Sequence, residues 1–261
     1  MNVLCIGDVV GTPGIQLVEQ LLPGLREEHE LHWVIANGEN AHQSGNGLGA
    51  KEFERLRQAG VDCVTLGDHL WRRRDLRPVL RAGEGIVRPG NLPAEAVGSG
   101  VTVLESDSAP PLAVINLMGR VFMSPAECPF ATADRLIDEI DGRATATVVE
   151  IHAEATSEKQ ALSWALDGRV SAVVGSHTHV QTADDRILPG GTAALTDMGM
   201  TGPFESVLGR RVEPVLQHMR TSMFIPFLVA KHDPRLQGTV IRIDPETGRA
   251  LSIVRIDVAP V

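Results

Sequence analysis

Short apolar runs alternate with amphipathic stretches in the first part of the chain. Val3 to Ile6, Trp33 to Ala36 and Cys63 to Leu66 are almost wholly apolar, which is typical of strands buried on both faces. Between them, Gly14 to Glu28 and Lys51 to Ala59 carry apolar residues at helical spacing. This strand–helix–strand order predicts a parallel sheet with right-handed crossovers.

The second half continues the alternation and then changes. Further strands and helices are predicted at Leu112 to Leu117, Thr132 to Ile140, Ala146 to Ile151, Ser157 to Leu166 and Val170 to Val174. After Leu188 the pattern becomes hairpin-like, with strands predicted at Ala193 to Thr196, Thr239 to Ile243 and Leu251 to Val258 and a turn at Asp244 to Gly248. We expect a mixed sheet or a second sheet packed on the first, and a long loop from Gly83 to Gly100.

Composition narrows the class of protein. The 261 residues suffice for one sizeable core, in one domain or two. A net charge of −9 argues against a broad nucleic-acid surface, so extended nucleic acid is not an expected partner. Cys5 and Cys63 lie in apolar strands, the amino terminus lacks the basic start expected of a signal peptide, and no apolar run is long enough to predict a membrane span. These features predict a cytoplasmic protein.

Polar residues that can bind metals follow several of the predicted strands. Ligands collect outside the carboxyl ends of strands in open α/β sheets, so side chains that are distant in sequence can converge there. Carboxylate and imidazole groups together suit a pair of divalent cations. The residues in this position are Asp8, Glu39, Asp68, His152, His177 and His179. The last two can point into one cavity only if the chain bends locally, and Gly175 is expected to help supply that bend.

Each position also has an ordinary structural explanation. Asp8 could cap a helix, Glu39 and Asn40 could form a polar turn, and His69 could be a packing residue rather than a general acid. Glu154 could orient an imidazole or simply stand in the first turn of a helix. The conjunction favours a site, because uncompensated charges at strand ends are costly unless they are paired or bind metal.

Five arginines crowd the segment after His69. Such runs are usually solvated faces, and the alternative is that they bind a substrate phosphate or leave an opening for RNA. The arginines are Arg72, Arg73, Arg74, Arg77 and Arg81.

Longer strings in the chain resemble a known family. Gly7-Asp8, Gly38-Glu39-Asn40, Gly67-Asp68-His69 and Gly175-Ser176-His177-Thr178-His179 look like motifs of the calcineurin-like metallophosphoesterases. The strings Ala36 to Ala41, His152 to Lys159 and Thr196 to Gly202 are similar to those of the bacterial YmdB-type phosphodiesterases. The resemblance covers nearly the whole chain. It implies one metallophosphoesterase domain over residues 1–261, folded as a four-layer α/β/β/α sandwich with two mixed sheets.

The resemblance also implies a dinuclear metal centre, often of iron, with manganese or zinc as alternatives. Carried over by position, one metal would be held by Asp8, Asn40 and His179, and the other by Asp68, His152 and His177. Glu39 would bridge the two, and His69 would be the catalytic proton donor. No substrate-binding residue is assigned, and a homo-oligomer is left open.

The implied activity is hydrolysis of 2′,3′-cyclic or 3′,5′-cyclic nucleotides, in which the metals activate water for attack on phosphorus. A phosphomonoesterase on the same centre and a low-turnover nucleotide-binding regulatory module are the alternatives. One departure keeps the second alternative open. The family usually has Asn where this chain has Asp68, and an ionised Asp offers no hydrogen-bond donor to a phosphate. Asp68 is therefore expected to tighten metal binding and to weaken phosphate binding.

Overall fold

The computed structural model describes residues 1–140 and 142–260. Over these ranges the strands are β1 (Asn2–Ile6), β2 (Asp8–Val9), β3 (Trp33–Asn37), β4 (Cys63–Thr65), β5 (Val101–Ser106), β6 (Ala109–Met118), β7 (Ala146–His152), β8 (Ala172–Ser176), β9 (Arg186–Ile187), β10 (Ala193–Leu195), β11 (Met200–Pro203), β12 (Pro234–Ile243) and β13 (Ala250–Val258). The α-helices are α1 (Gly11–Glu28), α2 (Ala50–Gln58), α3 (Arg77–Ala82), α4 (Pro129–Ile140), α5 (Thr156–Ala165) and α6 (Val212–Thr221). Within the same ranges, none of the helices has the length and apolar character that crossing a membrane requires.

The strands form two mixed sheets over the described residues. The first sheet has the order β2-β11-β12-β1-β3-β4, with β13 paired to β12, and the second has the order β5-β6-β7-β8-β10-β9. In the first sheet, β1 is parallel to β3 and antiparallel to β12. In the second, β6, β7, β8 and β10 run parallel, and β5 and β9 pair antiparallel at the edges. The fold class expected from the sequence is therefore confirmed.

Alternating side chains on β1 show how the layers are held together. Leu4 and Ile6 face one apolar cluster, which they share with α1 and α2, while Val3 and Cys5 face another cluster between the two sheets. This follows from the two-residue period of a strand. A third cluster packs α4 and α5 on the far face of the second sheet. The order of layers is thus helices, first sheet, second sheet, helices.

Details after β8 differ from the sequence prediction. The segment expected to form a hairpin at Ala193 to Thr196 contains β10, which pairs antiparallel with the short β9 but parallel with β8. The predicted final hairpin is confirmed as β12 and β13, with the Gly248 amide donating to the Asp244 carbonyl in the turn. The edge strand β5 was not predicted, because most of its residues are partly or fully exposed and lack an apolar run.

Candidate metal centre

The predicted site residues all lie at the carboxyl ends of strands. In the first sheet, Asp8 begins β2, directly beyond β1 and Gly7, and the turns after β3 and β4 carry the other side chains from this sheet. In the second sheet, His152 is the last residue of β7, and the loop after β8 carries two histidines. The first sheet supplies Asp8, Glu39, Asn40, Asp68 and His69, and the second supplies His152, His177 and His179.

Four side chains form the tightest group at this edge. One ligand atom from each of Glu39, Asp68, His152 and His177 lies within 4.8 Å of the others. His152 Nε2 is 3.4 Å from Glu39 Oε2, 3.3 Å from Asp68 Oδ1 and 3.0 Å from His177 Nδ1. Two imidazoles and two carboxylates at these separations have the number and type of donors that a transition-metal ion requires.

The remaining predicted ligands lie beside this group and touch it. The Asn40 side-chain amide donates to Glu39 Oε1 at 2.9 Å and lies 3.2 Å from His179 Nε2. His179 Nε2 is 3.8 Å from Asp8 Oδ1, and the His177 backbone amide donates to Asp8 Oδ2 at 3.1 Å. Glu39 therefore stands between two sets of donors, as a bridging carboxylate would.

His69 lies at the rim of the cluster. Its backbone amide donates to Glu39 Oε2 at 3.1 Å, and its Nδ1 is 3.0 Å from Asn40 Oδ1 and 3.3 Å from Glu39 Oε1. Burial opposes protonation of this imidazole, but contact with Glu39 outweighs that effect and raises its pKa. One quarter of the His69 side chain remains exposed, so it can reach a molecule that enters from solvent.

The bend that points two histidines inward differs from the one expected. The sequence suggested that Gly175 would supply it, but Gly175 lies within β8, where its missing Cβ leaves room for the carbonyl group of Thr196. The bend lies at the histidines themselves, with φ of 95° at His177 and 60° at His179. Positive φ is unfavourable for residues with a Cβ and persists only where the surroundings hold it.

Hydrogen bonds to Asp197 hold this loop, and sequence reasoning did not assign that residue. Both the amide and the hydroxyl of Thr178, which stands between the two histidines, donate to Asp197 Oδ2, at 3.1 and 2.6 Å. The buried ammonium group of Lys159 donates to the same oxygen at 2.8 Å. Asp197 follows β10, so the strand-end pattern that revealed the other acids could have found it.

A second buried carboxylate, that of Glu150, orients His152 through Ser176. Glu150 lies inside β7 and accepts hydrogen bonds from the side chains of Asn37, Thr65 and Ser176. Ser176 Oγ donates to Glu150 and therefore accepts from His152 Nδ1, which is 3.0 Å away. That arrangement leaves Nε2 of His152 free to bind a cation. An acid within an apolar strand was the sequence signal for Glu150.

Glu154, a possible orienting acid in the sequence, is placed to act on the other imidazole of the tight group. Its Oε2 lies 3.1 Å from His177 Nε2, while the Nδ1 of the same ring faces His152. A carboxylate on the outer nitrogen favours the tautomer that presents Nδ1 to a cation.

The surroundings shift the pKa values of the buried groups in this cluster in different directions. Burial opposes protonation of His152, but the carboxylates of Glu39 and Asp68 outweigh it and raise its pKa to about 9. Burial lowers the pKa of His179 to about 4, and it raises the pKa of Asp8 well above the usual value. Neighbouring imidazoles are thus driven in opposite directions, because carboxylates outweigh burial at His152 whereas burial prevails at His179.

Three observations show that the donor set fits metal ions. Asp8 Oδ1 is buried and has no hydrogen-bond partner among the described residues, which is costly unless a cation occupies its free side. Among the same residues, no Lys or Arg nitrogen lies within 4.0 Å of the carboxylates of Asp8, Glu39 or Asp68. At Gly67, a Cβ would collide with His152 and Glu39, so glycine keeps the space between the donors open.

A four-layer α/β/β/α fold whose strand ends gather imidazoles and carboxylates defines the metallophosphoesterase-like class. The chain belongs to the family described as YmdB-like protein, whose model matches residues 4–256. It is 46% identical over 256 residues to the 2′,3′-cyclic-nucleotide 2′-phosphodiesterase of Bacillus subtilis (strain 168), covering 98% of this chain and 96% of that protein.

Solved structures agree with this placement. A hypothetical protein from Thermus thermophilus has a TM-score of 0.92 and 43% identity, covering 99% of each chain. A protein described as a novel phosphatase from Mycoplasma pneumoniae has a TM-score of 0.91 and 34% identity, covering 99% of this chain and 93% of that one.

Proposed function

We propose that the chain is a dinuclear-metal-dependent phosphodiesterase that hydrolyses cyclic nucleotides, 2′,3′-cyclic, 3′,5′-cyclic or both. The observation that carries this proposal is the continuous set of donors on either side of Glu39. The name of the Bacillus subtilis relative supports the 2′,3′-cyclic substrate, and the acyclic phosphate product would keep a single ester bond.

Two metal ions fit the arrangement of donors better than one. Asp8, Asn40 and His179 would hold the first, and Asp68, His152 and His177 the second, with Glu39 between them. Bound there, the metal ions would supply Lewis acidity that activates water and neutralises phosphate oxygens. Imidazole and carboxylate donors suit iron, manganese and zinc, and we propose iron on the resemblance of the motifs.

The chain's own residues would prepare and complete the reaction. Ser176 and Glu150 fix the ring of His152, and Thr178 and Asp197 fix the loop of His177 and His179. His69, exposed at the rim, would donate a proton to the ribose oxygen that leaves phosphorus. The contact of His69 with Glu39, 3.3 Å from Nδ1 to Oε1, supports this role.

The sharing of the site between the sheets supports one functional domain over residues 1–261. Asp8 and Glu39 come from the first sheet and His152 from the second, so neither half could assemble the donors alone. Cys5, Cys63 and Cys128 are free thiols, which supports the cytoplasm as the compartment.

Replacing Glu39 by Gln tests the proposal, because the amide keeps the shape and removes the bridging charge. We expect Glu39→Gln to lose bound metal and to lower turnover of adenosine 2′,3′-cyclic phosphate on the order of a hundredfold. Metal content is measured by elemental analysis and turnover by product formation. Glu95→Gln, at an exposed loop position, is the matched control and should change neither. Full metal content with full activity in Glu39→Gln would refute the bridging role.

A substrate panel separates the alternatives. Faster hydrolysis of p-nitrophenyl phosphate than of any cyclic nucleotide would identify a phosphomonoesterase, which the name of the Mycoplasma pneumoniae structure makes worth testing. Tight binding of a cyclic nucleotide by calorimetry, with no product formed by the metal-loaded protein, would identify a regulatory binding module.

A further inference from the structure

A cavity of about 500 Å³ lies next to the candidate metal centre. Its walls come from the segments that follow two site residues, the loop after Asn40 and the turn after His69, together with α6 and the residues on either side of it. The Arg72 amide donates to the His69 carbonyl at 3.0 Å, so this wall is joined directly to the rim of the centre. Cavities of this size hold small organic ligands.

Three cationic side chains line this cavity. Arg72, Arg73 and Arg210 contribute to it, and none of their nitrogens lies within 4.0 Å of a carboxylate oxygen in residues 1–140 and 142–260. Arg73 donates to Ser44 Oγ at 2.6 Å, while Arg210 donates to the carbonyl groups of Ser44 and Gly45. In a chain with a net charge of −9, such a concentration of uncompensated guanidinium groups favours an anion as ligand.

Aromatic rings face the same space. Phe224 is 91% exposed, although it is large and apolar. Phe227 packs edge-on against His218, with ring centroids 5.4 Å apart, and remains 39% exposed. Both rings line the same cavity as the arginines. A flat apolar surface beside guanidinium groups matches a nucleobase attached to a phosphate.

We propose that this cavity binds a second nucleotide, so that the preferred substrate is the 3′ end of a short RNA carrying a 2′,3′-cyclic phosphate. The inference rests on the proposed function. The metal centre would neutralise the reacting phosphate, and a mononucleotide has no other. The arginines then bind the phosphodiester that joins the terminal nucleotide to the preceding one, and Phe224 and Phe227 contact the preceding base. The acidic remainder of the chain limits binding to a short segment.

The test compares adenylyl-(3′,5′)-adenosine 2′,3′-cyclic phosphate with adenosine 2′,3′-cyclic phosphate. We expect kcat/KM of the metal-loaded protein to be higher for the dinucleotide by about tenfold or more, as expected for one stacked base. Arg72→Gln and Phe224→Ala should each reduce this ratio severalfold. Arg81→Gln replaces an exposed arginine of α3 that does not line the cavity, and it should leave the ratio and both rates unchanged.

Several results would overturn the proposal. They are a ratio near one in the unaltered protein, equal losses on both substrates in Arg72→Gln and Phe224→Ala, or a preference for cyclic di-AMP over the linear dinucleotide. Equal losses on the two substrates would mean that these residues act on the reacting phosphate or stabilise the fold.

A binding measurement separates this proposal from the proposed function. Adenylyl-(3′,5′)-adenosine has no cyclic phosphate, and its binding is followed by calorimetry on the full chain. Binding that weakens in Arg72→Gln and Phe224→Ala but not in Arg81→Gln supports the cavity even if no cyclic nucleotide is hydrolysed. Absence of binding, with normal hydrolysis of the mononucleotide, refutes the cavity and leaves the proposed function standing.

Discussion

At the scale of single residues, Asp68 is the position where this chain departs from the pattern it resembles. Its Oδ1 lies 3.3 Å from His152 Nε2, and its Oδ2 lies 4.0 Å from His69 Nε2. Burial opposes ionisation of this carboxyl, but the hydrogen bond with His152 and the nearby imidazoles outweigh it and lower its pKa. Asp68 therefore adds a full negative charge to the candidate centre, which under the proposed function receives a phosphate.

Exchanging this residue for the amide should separate metal binding from substrate binding. We expect Asp68→Asn to release metal to a chelator faster and to lower KM for adenosine 2′,3′-cyclic phosphate on the order of tenfold, because one like charge is removed near the phosphate. Chelator competition and steady-state kinetics provide the measurements. Asp185→Asn, at a similarly exposed residue paired with Arg255, is the control. If Asp68→Asn changes neither quantity, the charge argument is wrong.

At the scale of elements, the loop after β8 shows how strain and support occur together. His177 and His179 both adopt positive φ, each of which costs on the order of 1 kcal/mol or more. Thr178, between them, donates two hydrogen bonds to Asp197, and Lys159 of α5 donates a third to the same carboxylate. The geometry of both histidines thus depends on contacts from two other elements.

Removing the hydroxyl of Thr178 should loosen this loop without creating a cavity. We expect Thr178→Val to weaken metal affinity about tenfold, because residues that orient metal ligands typically have effects of that size. Metal affinity is measured by titration of the stripped protein, and the free energy of unfolding by urea denaturation. Thr102→Val on β5 is the control, and it should leave affinity unchanged. Equal affinities for the two variants would show that Asp197 does not hold the histidines through this hydroxyl.

At the scale of the whole molecule, the candidate centre joins the two sheets. Glu39 and Asp68 follow strands of the first sheet, and His152 and His177 belong to the second or follow it. The apolar cluster between the sheets, which includes Cys5, packs these two layers against each other. Metal ions bound at this edge would add links between the layers that the unfolded chain lacks.

Metal binding should therefore stabilise the entire fold. At a metal concentration of one hundred times Kd, the expected gain is about 2.7 kcal/mol, or roughly several degrees in Tm for a chain of this size. Calorimetry of chelator-stripped protein with and without manganese provides the measurement. Asp185→Asn should keep the shift, and Glu39→Gln should lose most of it. An equal shift in Glu39→Gln would mean that manganese acts elsewhere.

The sequence by itself determined the strand ends and the chemistry placed there. Short apolar runs predict β1, β3 and β4, and acids and imidazoles follow these and later strands. Both features can be recognised locally, because hydrophobic pattern and residue type are properties of short segments. Only the tertiary structure decided how the site residues are divided between the two sheets, that β10 joins β8 in parallel, and that the bend lies at His177 and His179 rather than at Gly175. These features depend on contacts between residues far apart in the chain, and no local pattern records which distant partner will stabilise a strained or charged group.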